Sequence, residues 1–487
     1  MTSSTLAVVD LGSNSFRLEI GRVEGDQIYR QETWRETLRF GAALDEEGRI
    51  RPEAMKTALA CLARFRERLS GLHPSAVRAV ATNTFRVAAN AGEFLPRAER
   101  ALGFPIDVIG GHEEARLIYV GVAHVLPPSA APRLVIDIGG GSTEFILGRG
   151  MEPERLESLN MGCVGMTQRF FPDGRVTAAS LDAAETAVRV EIEAIAREFS
   201  PDRWRDAYAS SGTAAALAEI IEQNGFSSGG ITPDGLARLR RRMILARHVG
   251  RLQLHALKPE RAPVLAGGLA IMSAAVAELG VERIDPVGGA LRLGVLYDLL
   301  GRSIDEDIRK LTVSRFIDRY HIDSSHAARV ATLAVSLFRG AVPKSDAAQL
   351  LQWAALLHET GMSVSHIGYH KHGAYILQNA DMPGFSAGEQ QRLALLVFGC
   401  RGGLAKMQTV LAGEEVQAQV LSLRLAVLFH HARTTIDVPR IRLKIGRRIR
   451  FAVSARWLAA HPLTAHLVAK ERRQWKELGY AWKAIAK

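Results

Sequence analysis

Residues 7–20 read AVVDLGSNSFRLEI: an apolar run, an Asp, a tight Gly/Ser turn and a second apolar run. That pattern predicts a β-hairpin over residues 6–29. Apolar residues at helical spacing then predict an amphipathic helix near Pro52–Ser70, followed by a strand at Val77–Ala81. A loop over Thr82–Ala91, a further helix and a strand at Phe104–Ile109 complete an alternating α/β lobe. Pro127, Pro128 and Pro132 form a short stiff break. Beyond it, Leu134–Leu147 (LVIDIGGGSTEFIL) repeats the opening design: aligned without gaps, Asp10 falls on Asp137, Gly12 on Gly139 and Ser15 on Ser142. The second lobe continues with a helix near Leu181–Phe199, a strand at Asp206–Ala209 and a Ser210–Thr213 turn opening a helix. A strand at Pro263–Ala266, the turn Gly267–Gly268, a strand at Ile284–Pro286 and a helix at Ala290–Leu300 follow. After Gly301 the pattern becomes almost wholly helical from Asp305 to about Leu428, for example at 324–339 and 346–358. From about Val438 a small β segment (IRLKI, RIRFAV) is expected before terminal helices. The predicted fold is α/β, with two duplicated lobes at 1–126 and 127–303 and a mainly helical domain at 304–487.

A hairpin turn that exposes backbone N–H groups and hydroxyls beside a carboxylate is a cradle for phosphate and metal. In the first copy Asp10 precedes Gly12, Ser13, Asn14 and Ser15, whose backbone and side chains can donate to phosphate oxygens. In the second, Asp137 and Glu144 bracket Gly139, Gly140, Gly141, Ser142 and Thr143, an oxygen-rich set suited to Mg²⁺ with phosphate. Two such copies imply lobes that close on a polyphosphorylated ligand from both sides. Between them, Gly110-Gly111 leads into His112-Glu113-Glu114, where a Glu at an interlobe cleft can activate water for attack on phosphorus. His112 is the weaker candidate base, because nothing in the sequence orients it. Arg86, in the loop after a strand, suits a bidentate phosphate clamp. Ser211-Gly212 and Gly267-Gly268, each before a helix, are further anion-capable turns. His326, His358-Glu359 and the group His366, His370 and His372 resemble scattered metal ligands. A Glu stands where a histidine–aspartate hydrolase would carry Asp, which favours helix-end histidines without a working metal centre.

Composition narrows the partner. The chain has 487 residues, 47% hydrophobic and 23% charged, an ordinary globular balance with room for several domains. No apolar run reaches the ~18 residues that span a bilayer. The opening MTSSTLAVVD enters the first strand with no signal-peptide pattern, and Cys61, Cys163 and Cys400 form no CxxC pair. A cytoplasmic protein with reduced thiols and no membrane contact is expected. Residues 305–487 carry 26 Lys and Arg against 14 Asp and Glu, whereas the remainder carries 36 against 37. The basic half is therefore expected to hold part of a polyanion, with Arg442, Lys444, Arg447 and Arg448 at its densest stretch. No aromatic stacking pattern, zinc finger or arginine-rich tail supports specific nucleic-acid binding.

The segments VVDLGSNSFRL, ATNTFRVAANA, GHEEARLIYVGV, LVIDIGGGSTEF, SSGT, LAGGLAIM and GGALRLGVLYDLL together resemble the exopolyphosphatase/guanosine pentaphosphate phosphatase family. SSHAARVATLAVSLF, AALLHETG and YHKHGAYILQNADMPGFS look like that family's C-terminal histidine–aspartate-like domain. The resemblance implies the sugar-kinase/heat-shock/actin two-lobe fold and stepwise hydrolysis of a terminal phosphate. By motif, Glu114 would be the general base, Asp137 and Glu144 would organise Mg²⁺ and the lytic water, and Arg86 would clamp phosphate. Gly12, Ser13, Asn14, Gly140, Gly141 and Ser142 would hold phosphate. Arg292-Leu293-Gly294 departs from the family's usual Arg-Glu-Gly, and Cys400 stands where a His is usual. The expected activity is Mg²⁺-dependent exopolyphosphatase, working as a homodimer. The alternative is a guanosine pentaphosphate phosphohydrolase, and a kinase of the same fold is the rival reaction.

Overall fold

Strand β1 (Ser4–Leu11) is buried on both faces, and every later element of the first lobe is arranged around it. In a computed structural model describing residues 4–25, 27–303, 307–343, 345, 347–411, 413–434, 437–446 and 448–486, the chain divides into two units, Met1–Asp307 and Ile308–Lys487.

In the first unit, β1 pairs antiparallel with β2 (Ser15–Glu24), and β2 with β3 (Gln27–Thr37). Helix α1 (Pro52–Arg68) leads to β4 (Val77–Ala81), which returns parallel to β1. Short α2 (Asn83–Val87) and α3 (Ala91–Leu102) lead to β5 (Ile106–Val108) and α4 (Gly111–Ala123). The expected 82–91 loop thus contains a helical turn, fixed by packing of Phe85 on Phe40 at 5.4 Å and on Phe94 at 5.8 Å. The second lobe repeats the plan with β6 (Pro132–Ile138), β7 (Thr143–Arg149), β8 (Glu152–Leu159), α5 (Cys163–Phe170), α6 (Ala178–Ala196), β9 (Asp206–Ser210) and α7 (Ser211–Gln223). Next come α8 (Pro233–Ala246), α9 (Leu265–Glu278), β10 (Asp285–Pro286) and α10 (Leu291–Ser303). The two five-stranded sheets have equivalent strand orders, β3-β2-β1-β4-β5 and β8-β7-β6-β9-β10, so the duplication read in the hairpins extends to whole lobes.

One sequence expectation fails in lobe II. Pro263–Ala266 is not a strand, and Gly267 and Gly268 form no turn; they lie in the first turn of α9. A Cβ at Gly267 would meet the Cys163 carbonyl oxygen at 2.5 Å, and one at Gly268 would meet Thr213 Cγ2 at 2.5 Å. These glycines let α9 press against α5 and the start of α7. The continuous apolar run read as a buried strand is a helix buried on nearly all sides.

Alternate residues of the central strands serve two cores. Ala7, Val9 and Leu11 face the core of lobe I, and Leu134, Ile136 and Ile138 that of lobe II. Val8 and Val135 face a shared layer made by α4 and α10. Those helices cross at glycines: a Cβ at Gly294 would lie 1.7 Å from the Leu117 carbonyl oxygen. Buried charges pin the crossing. Asp298 accepts from Arg116 at 2.6 Å, Arg78 at 2.7 Å and Arg302 at 3.0 Å. Burial pushes the Asp298 carboxyl up, but the three guanidiniums together hold it below the ordinary carboxylate range.

The second unit contains α11 (Ile308–Arg319), α12 (Ser324–Ala341), α13 (Ala348–Leu356), α14 (Tyr369–Asn379), α15 (Ala387–Gly399) and α16 (Glu414–Phe429). After α16 come β11 (Arg442–Lys444), β12 (Arg448–Val453), α17 (Ala455–Ala460), α18 (Pro462–Glu477) and β13 (Ala481–Ala486), a small sheet of order β11-β12-β13. Leu443, Ile449, Phe451 and Trp482 are buried, whereas Arg442, Lys444, Arg448, Arg450 and Lys483 are exposed. Lys444, Arg450 and Lys483 are in register across the three strands, forming a basic row. Arg447 lies outside the described residues. No helix among the described residues is long and apolar enough to cross a membrane.

Candidate active site

Both duplicated turns open into one cleft of about 130 Å³ between the lobes of the first unit. Asp10, Gly12, Ser13, Asn14, Ser15, Glu114, Asp137, Gly139, Gly140, Gly141, Ser142, Ser211 and Gly212 all line it. The turns meet across the cleft: a Cβ at Gly141 would lie 2.3 Å from Asn83 Oδ1 and 2.8 Å from Ser13 Oγ, and one at Gly140 would lie 3.2 Å from the Asn14 nitrogen. A side chain at position 141 would have to displace Asn83, and one at 140 would press on the first turn. The Ser13 and Asn14 carbonyls accept from Gly41 and Leu38 nitrogens, and the Gly139 and Gly140 carbonyls from Cys163 and Val164 nitrogens. The N–H groups of Ser13, Asn14, Gly140 and Gly141 have no intramolecular acceptor among the described residues, leaving them for an anion.

Strand register sets the charges. Asp10 lies opposite Arg17, and Asp137 opposite Glu144, so each Asp shares a sheet face with its partner. Asp10, Glu114, Asp137 and Glu144 form one buried acidic cluster. Burial raises the Asp10 carboxyl against the pull of Arg292, and it raises Asp137 to about 6 against the Ser210 hydroxyl that donates to its Oδ2. Burial, then Glu114 and Asp137, push Glu144 well above the usual range. Ser158 Oγ donates to Glu144 Oε1 at 2.9 Å.

Glu114 sits in the first turn of α4, beside the cleft. Arg86 Nη1 donates to Glu114 Oε2 at 2.7 Å and to the Ile109 carbonyl at 3.0 Å. Burial raises Glu114 to about 7 despite Arg86, with Asp10 and Asp137 adding to the rise. Neighbouring Glu113 turns the other way and accepts from Arg116 at 2.7 and 2.9 Å. His112 Nε2 lies 3.6 Å from Glu157 Oε2, and His112 does not line the cleft.

Several expected positions differ. Arg86 does not line the cleft; its guanidinium holds Glu114. Thr143 is fully buried with its hydroxyl donating to the Met161 carbonyl at 2.6 Å, so it is committed to the fold. Glu144, opposite Asp137 across the strands, is not in the lining, and Gly267 and Gly268 are packed in α9. The arginines that do line the cleft are Arg17, Arg261 and Arg292, none of them singled out from sequence as phosphate contacts. Arg292 donates to Glu19 at 3.0 Å and reaches Asp10 at 3.5 Å. Burial, reinforced by Arg292, pushes Arg17 down to about 10. A Cβ at Gly212 would lie 1.9 Å from Arg261 Nη2, so this glycine makes room for the Arg261 guanidinium. Ser211 adopts φ +91°, strain of the kind found at ligand-binding turns, and its hydroxyl accepts from the Thr213 nitrogen at 3.1 Å.

Hard oxygen donors of this kind fit Mg²⁺, because a divalent cation offsets the mutual repulsion of the carboxylates. Among the described residues, no three of these carboxylates bring ligand atoms within 4.8 Å of one another. The donor set therefore suits a hydrated ion bound partly through water and substrate phosphate.

Fold and site define a two-lobed α/β protein whose duplicated turns face one cleft between the lobes. The profile of the Ppx/GppA phosphatase family matches residues 22–303, and that of Ppx/GppA phosphatase domain III matches residues 308–472. The chain belongs to the Ppx/GppA phosphatase family, a family of phosphohydrolases. The exopolyphosphatase of Cytophaga hutchinsonii is similar in structure, with 24% identity over 61% of this chain and 98% of that one, at a TM-score of 0.55. The Aquifex aeolicus member of the Ppx/GppA family gives 24% identity over 62% and 99%, at 0.52. An exopolyphosphatase-like protein gives 28% identity over 62% and 99%, at 0.54. The first unit thus has the two duplicated α/β lobes expected, and a helical domain follows in the chain.

Proposed function

We propose that the protein is an Mg²⁺-dependent exopolyphosphatase that hydrolyses the terminal phosphate of inorganic polyphosphate. The observation that carries this reading is Glu114: a buried carboxylate beside anion-binding turns, titrating near neutral pH and oriented by one arginine. Glu114 takes a proton from water as the water oxygen attacks the terminal phosphorus in line. The bond from that phosphorus to the bridging oxygen breaks, and the shortened chain leaves as an anion. Backbone N–H groups of both turns bind the phosphate oxygens, and Arg17, Arg261 and Arg292 offset their charge. Asp137 and Asp10 would hold Mg²⁺ through oxygen and water, and its charge would neutralise phosphate oxygens there. A cleft of about 130 Å³ lined by both turns suits a terminal phosphate.

Phosphate release from polyphosphate, guanosine pentaphosphate and ATP, measured side by side with and without Mg²⁺, tests the reading. Fastest release from polyphosphate supports it. Preference for guanosine pentaphosphate would instead favour the phosphohydrolase alternative with the same chemistry, and ATP-dependent chain growth would favour the kinase.

The pH profile is a further check. Glu114 must be deprotonated to accept a proton, so activity should rise with pH through about 7. Arg86 lowers the Glu114 pKa, so Arg86→Ala should move that acid limb upward by roughly one unit, as loss of an adjacent opposite charge requires. An unmoved limb would separate Arg86 from the base.

The exposed basic face of the small sheet, Arg442, Lys444, Arg448, Arg450 and Lys483, suits the distal part of a long chain. Replacing Arg442, Lys444 and Arg448 together by Gln should weaken long polyphosphate more than tripolyphosphate and flatten its salt dependence, because fewer counterions are released. Equal losses on both lengths would assign this face another purpose.

A further inference from the structure

Strand β3 carries four charged side chains, Arg30, Glu32, Arg35 and Glu36, and three of them are ion-paired. Arg30 Nε lies 2.8 Å from Glu19 Oε1, Glu32 Oε2 lies 3.7 Å from Arg68 Nη1, and Glu36 pairs with Arg64. Arg35 has no ion-pair partner among the described residues. Its cross-strand neighbour is instead another cation, because the register of β2 and β3 sets Arg17 directly opposite it. Like charges directly opposite one another weaken a sheet. A fold keeps such a local cost where it serves a site.

This exposed arginine is tied to the cleft in three ways. Arg35 Nε donates to Ser15 Oγ at 3.3 Å, and Ser15 lines the cleft. Arg17 lines it as well. The Arg35 charge also reaches the other lobe: burial, then the repulsion of Arg35, lowers the Arg261 guanidinium from its ordinary value. Yet Arg35 is not itself in the lining, and its two Nη groups have no acceptor among the described residues. It stands at the rim, anchored by Nε with the rest of its fork free. Strands lie ~4.8 Å apart, so the Arg35 backbone, two strands out, is about 10 Å from that of Asp10. A phosphate seated between the turns is therefore left to Arg17, Arg261 and Arg292, and Arg35 stands further out.

We propose, on the exopolyphosphatase reading above, that Arg35 and Arg261 bind the penultimate phosphate of a condensed-phosphate chain, one from each lobe, and so select substrates whose leaving group is itself a phosphate. A planar guanidinium with both Nη groups free suits bidentate contact with phosphate oxygens. A phosphate monoester presents nothing to Arg35, whereas tripolyphosphate and every longer chain do. The same contact offsets the charge that gathers on the leaving phosphate as its bond to the terminal phosphorus breaks.

Calorimetric titration of the full chain in EDTA, with tripolyphosphate and separately with orthophosphate, tests this subsite. Wild type should bind tripolyphosphate the more tightly. Arg35→Gln should weaken tripolyphosphate by at least ~10-fold, the worth of one charge-assisted contact, and leave orthophosphate within ~2-fold. Arg35→Lys should recover part of the loss, since it keeps the charge and lacks the fork. Arg22→Gln is the control: Arg22, on β2, pairs with Glu24 at 2.6 Å and does not line the cleft, so both ligands should bind as before. Arg35→Gln also relieves Arg17 of a like-charged neighbour, so it should melt no lower than wild type. In Mg²⁺, Arg35→Gln should lose ~10-fold in kcat/KM on tripolyphosphate and little on p-nitrophenyl phosphate, whose leaving group carries no phosphate. Unchanged tripolyphosphate binding in Arg35→Gln, or equal losses on tripolyphosphate and orthophosphate, would overturn the rim subsite and leave the exopolyphosphatase reading standing. A wild type that binds neither ligand and releases phosphate from neither substrate would overturn both.

Discussion

Glu114→Gln should keep its affinity for polyphosphate and lose turnover by about 10²–10⁴, the usual contribution of a positioned general base. The amide is nearly isosteric and its oxygen can still accept from Arg86, so α4 and its crossing with α10 stay in place. What it loses is the ability to take a proton. The phosphate contacts proposed here come from the two turns and from Arg17, Arg261 and Arg292, none of which requires a charged Glu114. Removing a buried carboxylate beside Asp10 and Asp137 should, if anything, favour polyanion binding. The split between KM and kcat is therefore the readout, with the folded state checked by its melting temperature. Near-normal turnover in a folded variant would sink the assignment of Glu114 as base. Glu113→Gln is the useful contrast: its carboxylate binds Arg116, so its loss should lower stability more than it lowers the chemical step.

Much of the first unit was legible because its central strands are continuous apolar runs and its cleft turns interrupt them at aligned positions. Asp10 and Asp137 could be paired from the alignment alone. The outer strands β3 and β8 were not, since both are mostly polar and lack alternation, β3 exposed and β8 half-buried. Gly267 and Gly268 misled for a definite reason: in a helix buried all round, small residues and apolar neighbours look like a strand and a turn. Arg86 was found, but its partner is a residue 28 positions away, and no local pattern reports such a pairing. Arg17 left a usable trace, a charge inside the apolar run and opposite Asp10 once the hairpin register is drawn. Arg261 left none; its place is legible only when Gly212 is seen to make room for it. The histidines of the second unit lie far apart along the chain, yet α12 and the end of α13 bring His326 beside His358 and Glu359.

Asp137→Asn should affect activity and stability in opposite directions. On activity, it removes a carboxylate proposed to hold Mg²⁺, so turnover should fall by at least ~100-fold at low Mg²⁺ and the ion requirement should rise. On stability, the native carboxylate is a cost. Its pKa is raised from the ordinary value of about 3.9 to about 6, so the folded state prefers the protonated form. Below about pH 4 the group is protonated whether folded or unfolded, and the cost is absent. As pH rises from 4 to 6 the unfolded chain releases its proton first, and stability falls until both states are ionised. Above pH 6 the penalty is complete, bounded at about 3 kcal/mol by a shift of roughly two units. An Asn keeps an oxygen for the Ser210 hydroxyl and carries no charge towards Glu144, Glu114 or Asp10. At pH 8 without divalent ions, the variant should therefore melt roughly 2–5 °C above wild type, and at pH 4 the two should coincide. Adding Mg²⁺ should raise the wild-type melting temperature and leave the variant nearly unmoved, since an ion that binds only the folded state stabilises by mass action. A variant that melts below wild type at pH 8, or that gains as much from Mg²⁺, would show that Asp137 is a structural hydrogen-bond acceptor for Ser210 and not part of a cation site.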